Sequence, residues 1–268
     1  MLRRAGIAVT VPLLEKECRQ LNAGFFMRVT RGRPLVTLKL AMTLDGRIAT
    51  AGGDSRWVTS AQARELVHRM RSESDAILVG AGTVIADNPR LTSRIEGGHD
   101  PLRVIVDGRL RVSPSALVFR QRSAAGAILA TSRRNAARAQ RRYGSTRVEV
   151  IAVPEKTGPG KIGALSMAGL MTELGKRGIN RVMIEGGALT AGSALQEGVV
   201  DRLAVFIAPK ILGGGLPGVE GIATRQMRDA IGLSELAVRK IGDDLLVEAE
   251  VVSSMLSAVR ARRRKDTP

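Results

Sequence analysis

The chain has few of the residues that build covalent or metal-held frameworks. It carries one cysteine, Cys18, and two histidines, His68 and His99, among 268 residues. A single thiol closes no internal disulfide, and three such residues are too few for a Cys/His zinc site of the usual kind. Aromatic residues make up only 2%, which leaves no platform of rings on which nucleic-acid bases could stack. No run approaches the length of apolar residues that a membrane-crossing helix needs. Arg3 and Arg4 sit near the start, but no apolar stretch follows before Glu15. A secretory leader is therefore not expected, and the cytoplasm is the expected location.

What is present describes a globular protein. Hydrophobic residues make up 44% and charged residues 25%, enough apolar surface for a sizeable core. The formal net charge of +17 invites a polyanion partner. The basic residues are spread along the whole chain, though, apart from a basic tail over 255–268. Nucleic acid is not the expected partner. A pocket for a small phosphorylated molecule uses only a few such charges.

Organisation follows the periodicity. A helix is expected over 12–23, then a turn at Arg31-Gly32-Arg33-Pro34, where proline cannot continue a helix. From Leu35 strands and helices alternate. Residues 35–42 alternate apolar and polar side chains, as a strand does. Ser60 caps a helix that aligns Ala63, Leu66, Val67 and Met70. Short strands are expected over 75–79, 103–107, 127–131, 148–153, 181–184 and 203–208. Helices are expected over 132–142, 163–177 and 188–196, and a closing hairpin over 235–240 and 244–251. Strands alternating with helices indicate an α/β fold, mainly parallel with an antiparallel end.

Three features fall where a strand meets a helix, where open α/β sheets place ligands. They are Gly80-Ala81-Gly82-Thr83, Asp107-Gly108 and Glu185-Gly186-Gly187. Glycines let the backbone approach a phosphate, and the next helix offers free N–H groups. Neither Gly loop fits the dinucleotide fingerprint or the Walker pattern, and each is also an ordinary turn. Glu185 is different: a carboxylate ending a buried apolar strand needs a partner or a task. Lys39 alternates with Leu38 and Leu40, a pattern that fits a solvent face as well as a functional one. His68, with no nucleophile motif nearby, reads as a surface residue.

Several stretches are more specific than their parts. They are 38–49 (LKLAMTLDGRIA), 53–60 (GDSRWVTS), 69–94 (RMRSESDAILVGAGTVIADNPRLTSR), 103–107 (RVIVD), 185–187 (EGG), 201–203 (DRL) and 208–214 (APKILGG). In this order, over about 33–251, they closely resemble the reductase domain of the bifunctional riboflavin-biosynthesis deaminase/reductase family. Residues 5–26 resemble the last strand and helix of that family's deaminase domain. The H-x-E…P-C-x-x-C pattern of a zinc deaminase is absent. The resemblance divides the chain into a deaminase-domain remnant and linker (1–32), a reductase domain (33–254) and the tail.

The resemblance implies a dihydrofolate-reductase-like sheet with helices on both faces. The implied activity is NADPH-dependent reduction of 5-amino-6-(5-phosphoribosylamino)uracil to its ribitylamino product, without deamination. A related reductase of the same fold with another substrate is the alternative. Carried over position by position, Ala41, Trp57, Thr83, Asp87, Gly108, Gly187, Ala188, Leu189, Thr190, Ala191, Gly192 and Ser193 would line NADPH. Ser55, Arg71, Leu91, Arg94 and Glu185 would face the substrate, with Arg71 and Arg94 as a guanidinium clamp on its phosphate. Lys39 and Glu185 would lie nearest the sugar as catalytic residues. The family's frequent Pro-Thr-Leu after the two glycines is here Ala188-Leu189-Thr190, which displaces a hydroxyl by one position. A homodimer is implied too, with the 203–208 strand and the terminal hairpin offering edges for a partner to cover.

Overall fold

The computed structural model describes residues 1–10, 13–121, 123–144, 146–156 and 163–252. The basic tail, the last two residues of the expected reductase domain and the start of the helix expected from Pro12 lie outside them. In chain order the helices are α1 (Glu15–Leu21), α2 (Ala23–Arg31), α3 (Ala61–Ser72), α4 (Ala81–Asp87), α5 (Ala136–Tyr143), α6 (Met167–Lys176) and α7 (Ala188–Gln196). The strands are β1 (Leu35–Thr43), β2 (Arg47–Ala49), β3 (Ala76–Gly80), β4 (Leu102–Val106), β5 (Ala127–Ser132), β6 (Val148–Val153), β7 (Arg181–Glu185), β8 (Arg202–Ala208), β9 (Leu216–Pro217), β10 (Leu233–Ile241) and β11 (Asp244–Val251).

Nine strands form one sheet in the order β10-β11-β8-β1-β7-β3-β4-β5-β6. The seven from β8 to β6 are parallel, and β11 and β10 close the end antiparallel. Central strands such as β3 (AILVG) are buried at every position, as strands covered on both faces must be. Alternate side chains enter different cores. Val36, Leu38, Leu78, Val104, Val182 and Ile184 pack with Leu170 and Leu174 of α6 and Ala191 and Ala194 of α7. Ile77, Val79, Ile105, Leu129 and Met183 pack with Val84 of α4 and Ala139 and Tyr143 of α5. Ala63 and Val67 of α3 pack with Ala204, Phe206 and Leu246, and Met70 joins α3 to the α4–α5 side.

The strand order places the site. β3 and β7 are parallel neighbours. The chain leaves β3 through α4 toward β4, and leaves β7 through α7 toward β8 on the far side of β1. Connections that part in opposite directions open a crevice at the carboxyl ends of the two strands. That crevice lies between Gly80-Ala81-Gly82-Thr83 and Gly186-Gly187.

Some expectations are corrected. The N-terminal helix is split at Asn22, and its second part, α2, packs Gly24 against Asn180 and Arg181. No strand forms over residues 1–10; a short 3-10 turn, Leu2–Ala5, stands there. The helix expected from Gly163 begins at Met167, because the Ser166 hydroxyl accepts the Gly169 N–H and caps it. β8 is interior, paired with β1 and β11, so no partner can cover it; β10 is the open edge at that end.

Candidate functional site

The site begins with a register. β1 and β7 pair in parallel with Lys39 opposite Glu185, so both side chains leave the same face of the sheet. That face is covered by α3, whose last turn carries Arg71. The Arg71 Nε and Nη2 donate to the two Glu185 carboxylate oxygens at 2.7 Å each, and its Nη1 donates to the Thr92 carbonyl at 3.1 Å. The Arg71 and Glu185 side chains are 14% and 8% exposed. A buried carboxylate is tolerated here because a bidentate fork matches it.

The electrostatics follow from this packing. Burial alone would raise the Glu185 carboxyl, but the charge and hydrogen bonds of Arg71, helped by Lys39 and His68, hold it below the ordinary value. Burial pushes the Lys39 ammonium down; Glu185 opposes this and Arg71 adds to it. The ammonium lies 5.6 Å from the centre of the Phe206 ring. His68, one helical turn before Arg71, is half-buried rather than at the surface. Burial and the charges of Arg71 and Arg94 lower its pKa. Its Nδ1 is buried without a hydrogen-bond partner. The sequence signal for it was its three-residue spacing from Arg71, which puts both on one helix face.

The segment after α4 carries Arg94 toward this cluster. Asn88, Leu91 and Arg94 all have left-handed backbones, at φ 41, 57 and 55. Such turns are strained for non-glycine residues and gather at functional positions. Leu91 is buried in the core, whereas Arg94 is exposed and lines an open cavity with Ser93, Ile95, His99 and Asp100. Of the expected pair of phosphate-binding arginines, then, Arg71 has its fork filled by Glu185 and Arg94 keeps an exposed head.

The crevice itself is lined by backbone and hydroxyls. Gly186 and Gly187 take φ 86 and 83, which only glycine adopts at little cost. A Cβ at Gly187 would meet the Thr83 and Thr190 hydroxyls at 3.2 Å each, and one at Gly80 would collide with Thr190. The displaced hydroxyl of Thr190 therefore sits between the two loops. Asp87 ends α4; partial desolvation pushes its carboxyl up against the pull of Arg56. Ala41 packs against the α3 core, Ser55 is half-buried, and Trp57 is 63% exposed. The Gly108 carbonyl accepts from Asn135 Nδ2 at 2.8 Å.

Three expected cofactor contacts do not face the crevice. Ala191 and Gly192 are buried on the inner side of α7, with Gly192 pressed against the Glu220 backbone. The Ser193 hydroxyl accepts from Lys156 at 2.7 Å, and Lys156 is itself paired with Glu197. An α-helix presents only part of its circumference to a ligand, so a continuous run 187–193 cannot all touch one.

Comparison with known proteins bears on the family and the fold. The family model described as RibD C-terminal domain matches residues 34–247. The chain is 36% identical over 247 residues to riboflavin biosynthesis protein RibD of Aquifex aeolicus, covering 92% of this chain and 66% of that protein. Against the Escherichia coli protein of the same name it is 36% identical over 263 residues, covering 91% and 67%. The chain thus spans about two thirds of the length of these curated relatives. A Thermotoga maritima crystal structure described as a diaminohydroxyphosphoribosylaminopyrimidine deaminase/5-amino-6-(5-phosphoribosylamino)uracil reductase superposes with a TM-score of 0.80. It is 33% identical, with 93% of this chain and 66% of that one covered. Acinetobacter baumannii RibD gives 0.78 at 29% identity, with 94% and 67% covered.

Proposed function

Because the chain belongs to the RibD C-terminal domain family, we propose that it reduces 5-amino-6-(5-phosphoribosylamino)uracil to the ribitylamino product with NADPH. The observation that carries this reading is the buried Lys39–Glu185–Arg71 cluster beside a crevice of paired glycine loops. The glycine loop suits a dinucleotide: Gly186 and Gly187 leave bare backbone at the N-terminus of α7, where phosphate oxygens could approach free N–H groups. NADPH, when bound, supplies the hydride that adds to C1′ of the opened sugar.

The protein does the rest by position and charge. Gly187, Ala188, Leu189 and Thr190 would hold the cofactor from the β7 side and Thr83 and Asp87 from the α4 side, with Ala41, Trp57 and Gly108 as further contacts. Arg94 takes the substrate phosphate, and Ser55 makes a further substrate contact. Glu185, kept ionised by Arg71, accepts hydrogen bonds from the sugar hydroxyls as the ring opens. Lys39, whose ammonium burial makes more acidic, gives its proton to the nitrogen as C1′ is reduced. The sum is substrate, NADPH and one proton going to product and NADP⁺.

The same reading places the enzyme in the cytoplasm and as a homodimer. Among the described residues no helix is long and apolar enough to cross a membrane. The open edge of β10 exposes Leu233, Leu236 and Val238, an apolar strand that a second copy would cover. The reading includes no deamination, because this chain has one cysteine and no H-x-E. The test is direct. Purified protein with NADPH and the aminouracil ribotide consumes the nicotinamide absorbance. It releases no ammonia from the diaminopyrimidine precursor. Failure of the first, or ammonia in the second, overturns the reading.

A further inference from the structure

Trp57 is the only tryptophan of the chain. It is 63% exposed and belongs to neither a helix nor a strand. Exposed, irregular backbone with a large aromatic tip is normally loose, because little opposes its conformational entropy. Here it is tied from several directions. The Arg64 guanidinium of α3 lies 4.4 Å from the centre of the indole, and its Nη1 donates to the Thr59 carbonyl at 2.7 Å. The Asp54 carboxylate accepts the Arg56 N–H at 3.1 Å. The Trp57 carbonyl accepts from the Lys210 ammonium at 2.6 Å.

Lys210 is held in turn. Its carbonyl accepts the Leu44 N–H at 2.9 Å, so the loop after β8 is fastened to the end of β1. Two residues on, the Leu212 and Gly213 N–H groups donate to the Asp45 carboxylate, Gly213 at 2.8 Å. The Thr43 hydroxyl donates to that carboxylate at 2.6 Å, and these bonds pull it down to about 2. The Asp45 anchor is therefore charged at every working pH. The grip on Trp57 thus starts from a loop pinned to β1, an interior strand of the sheet, and Lys210 lies 153 positions from Trp57 in sequence.

We propose that Lys210 is a positioning residue for the cofactor. It fixes the Trp57 backbone so that the indole, steadied on one side by Arg64, presents a rigid surface to the dihydronicotinamide nucleotide. This rests on the reading above in which Trp57 borders NADPH. Lys210 touches no reacting atom; it acts by removing freedom that binding would otherwise have to remove.

The lone tryptophan makes the test optical. NADPH is titrated into wild-type protein, Lys210→Met and Lys210→Arg while indole emission and energy transfer to the dihydronicotinamide are followed. kcat and the KM for each substrate are measured alongside. The expected result for Lys210→Met is NADPH binding weakened about threefold to tenfold, the loss of one charge-assisted bond to an exposed carbonyl. Its aminouracil KM, its kcat at saturating NADPH and its thermal midpoint stay near wild type, and Lys210→Arg restores affinity. Wild-type NADPH affinity in Lys210→Met, with indole emission still quenched, overturns the Lys210 role and leaves Trp57 at the cofactor. A wild-type enzyme that turns over NADPH without any change in indole emission removes Trp57 from the cofactor site, and the Lys210 role with it.

Discussion

Arg71 and Glu185, 114 positions apart, meet through two parallel hydrogen bonds of 2.7 Å under the carboxyl end of β7. The pair sets the charge of the site: burial would raise the carboxyl, and Arg71, together with Lys39 and His68, holds it below the ordinary value. A carboxyl held below its unfolded value adds stability above the ordinary carboxylate range and loses it as pH falls through its folded value. Arg71→Met leaves burial unopposed except by Lys39 and His68, so the Glu185 carboxyl rises. The variant should then be less stable than wild type by about 3–5 kcal/mol near neutrality. The gap should shrink as pH falls. Urea midpoints from about pH 4 to about pH 8 check this; a pH-independent gap would contradict it.

Lys39 carries the opposite burden. Burial lowers its pKa, so the folded state holds its proton less tightly than the unfolded chain does. That is a cost at neutral pH, relieved only as pH rises past the folded value toward the unfolded one. Lys39→Met should raise the thermal midpoint by about 2–4 °C, the equivalent of about 1 kcal/mol for a domain of this size, while turnover collapses. A calorimetric scan and an NADPH-oxidation assay on the same sample suffice, and a lowered midpoint would show that the ammonium stabilises the fold.

Arg94 and Glu185 should separate kinetically. On the proposed reading, Arg94→Ala removes the head that would take the substrate phosphate, far from the reacting carbon. Its main effect should be an aminouracil KM raised by about 1.5–3 kcal/mol of lost charge-assisted bonding, with a smaller fall in kcat. Glu185→Gln keeps the shape and removes the charge, and should lower kcat more than it changes NADPH affinity. Steady-state kinetics with an NADPH titration decide between these patterns. A Glu185→Gln enzyme with wild-type kcat takes Glu185 out of the chemistry.

If the chain prefers NADPH over NADH, as the proposed reading has it, the preference should lie in Arg133. It follows the buried end of β5 and stands exposed, whereas its neighbour Arg134 is paired with Glu155 at 3.0 Å. Arg133→Ala should cost about tenfold to a hundredfold in kcat/KM with NADPH and little with NADH, the range of a charge-assisted bond to the 2′-phosphate. Equal losses with both cofactors would place the 2′-phosphate elsewhere.

Elements whose partners are local were readable from sequence. The helix Ala188–Gln196 and the strand Asp244–Val251 have the expected bounds, and Ser60 caps α3 through the Ala63 N–H. Each is marked by its own periodicity or cap. β2 and β9 were missed because three residues and two residues carry no period, and each exists only through the other. His68 reads as a surface residue from sequence because its spacing from Arg71 shows only a shared helix face, not that Glu185 and Arg94 gather there too. The Arg71–Glu185 pair was hidden for the same reason. Both residues were singled out, yet pairing is a property of the sheet order, which brings β7 beside β1 under α3. The excess of Ala191, Gly192 and Ser193 arose from treating a run of sequence as a surface, when a helix shows a ligand only one of its sides.

The position of β7 has a consequence for how the chain assembles. β3, β4, β5 and β6 can line up in order as they leave the ribosome, but β7 must enter between β1 and β3, two strands completed much earlier. Until it does, both carry unpaired backbone on facing edges, the kind of surface through which growing chains aggregate. Such non-local parallel pairing is slow, since loop closure precedes any reward in contacts. The strand that closes this gap also carries Glu185. The Lys39–Glu185–Arg71 cluster therefore cannot come together before β7 takes its place between β1 and β3.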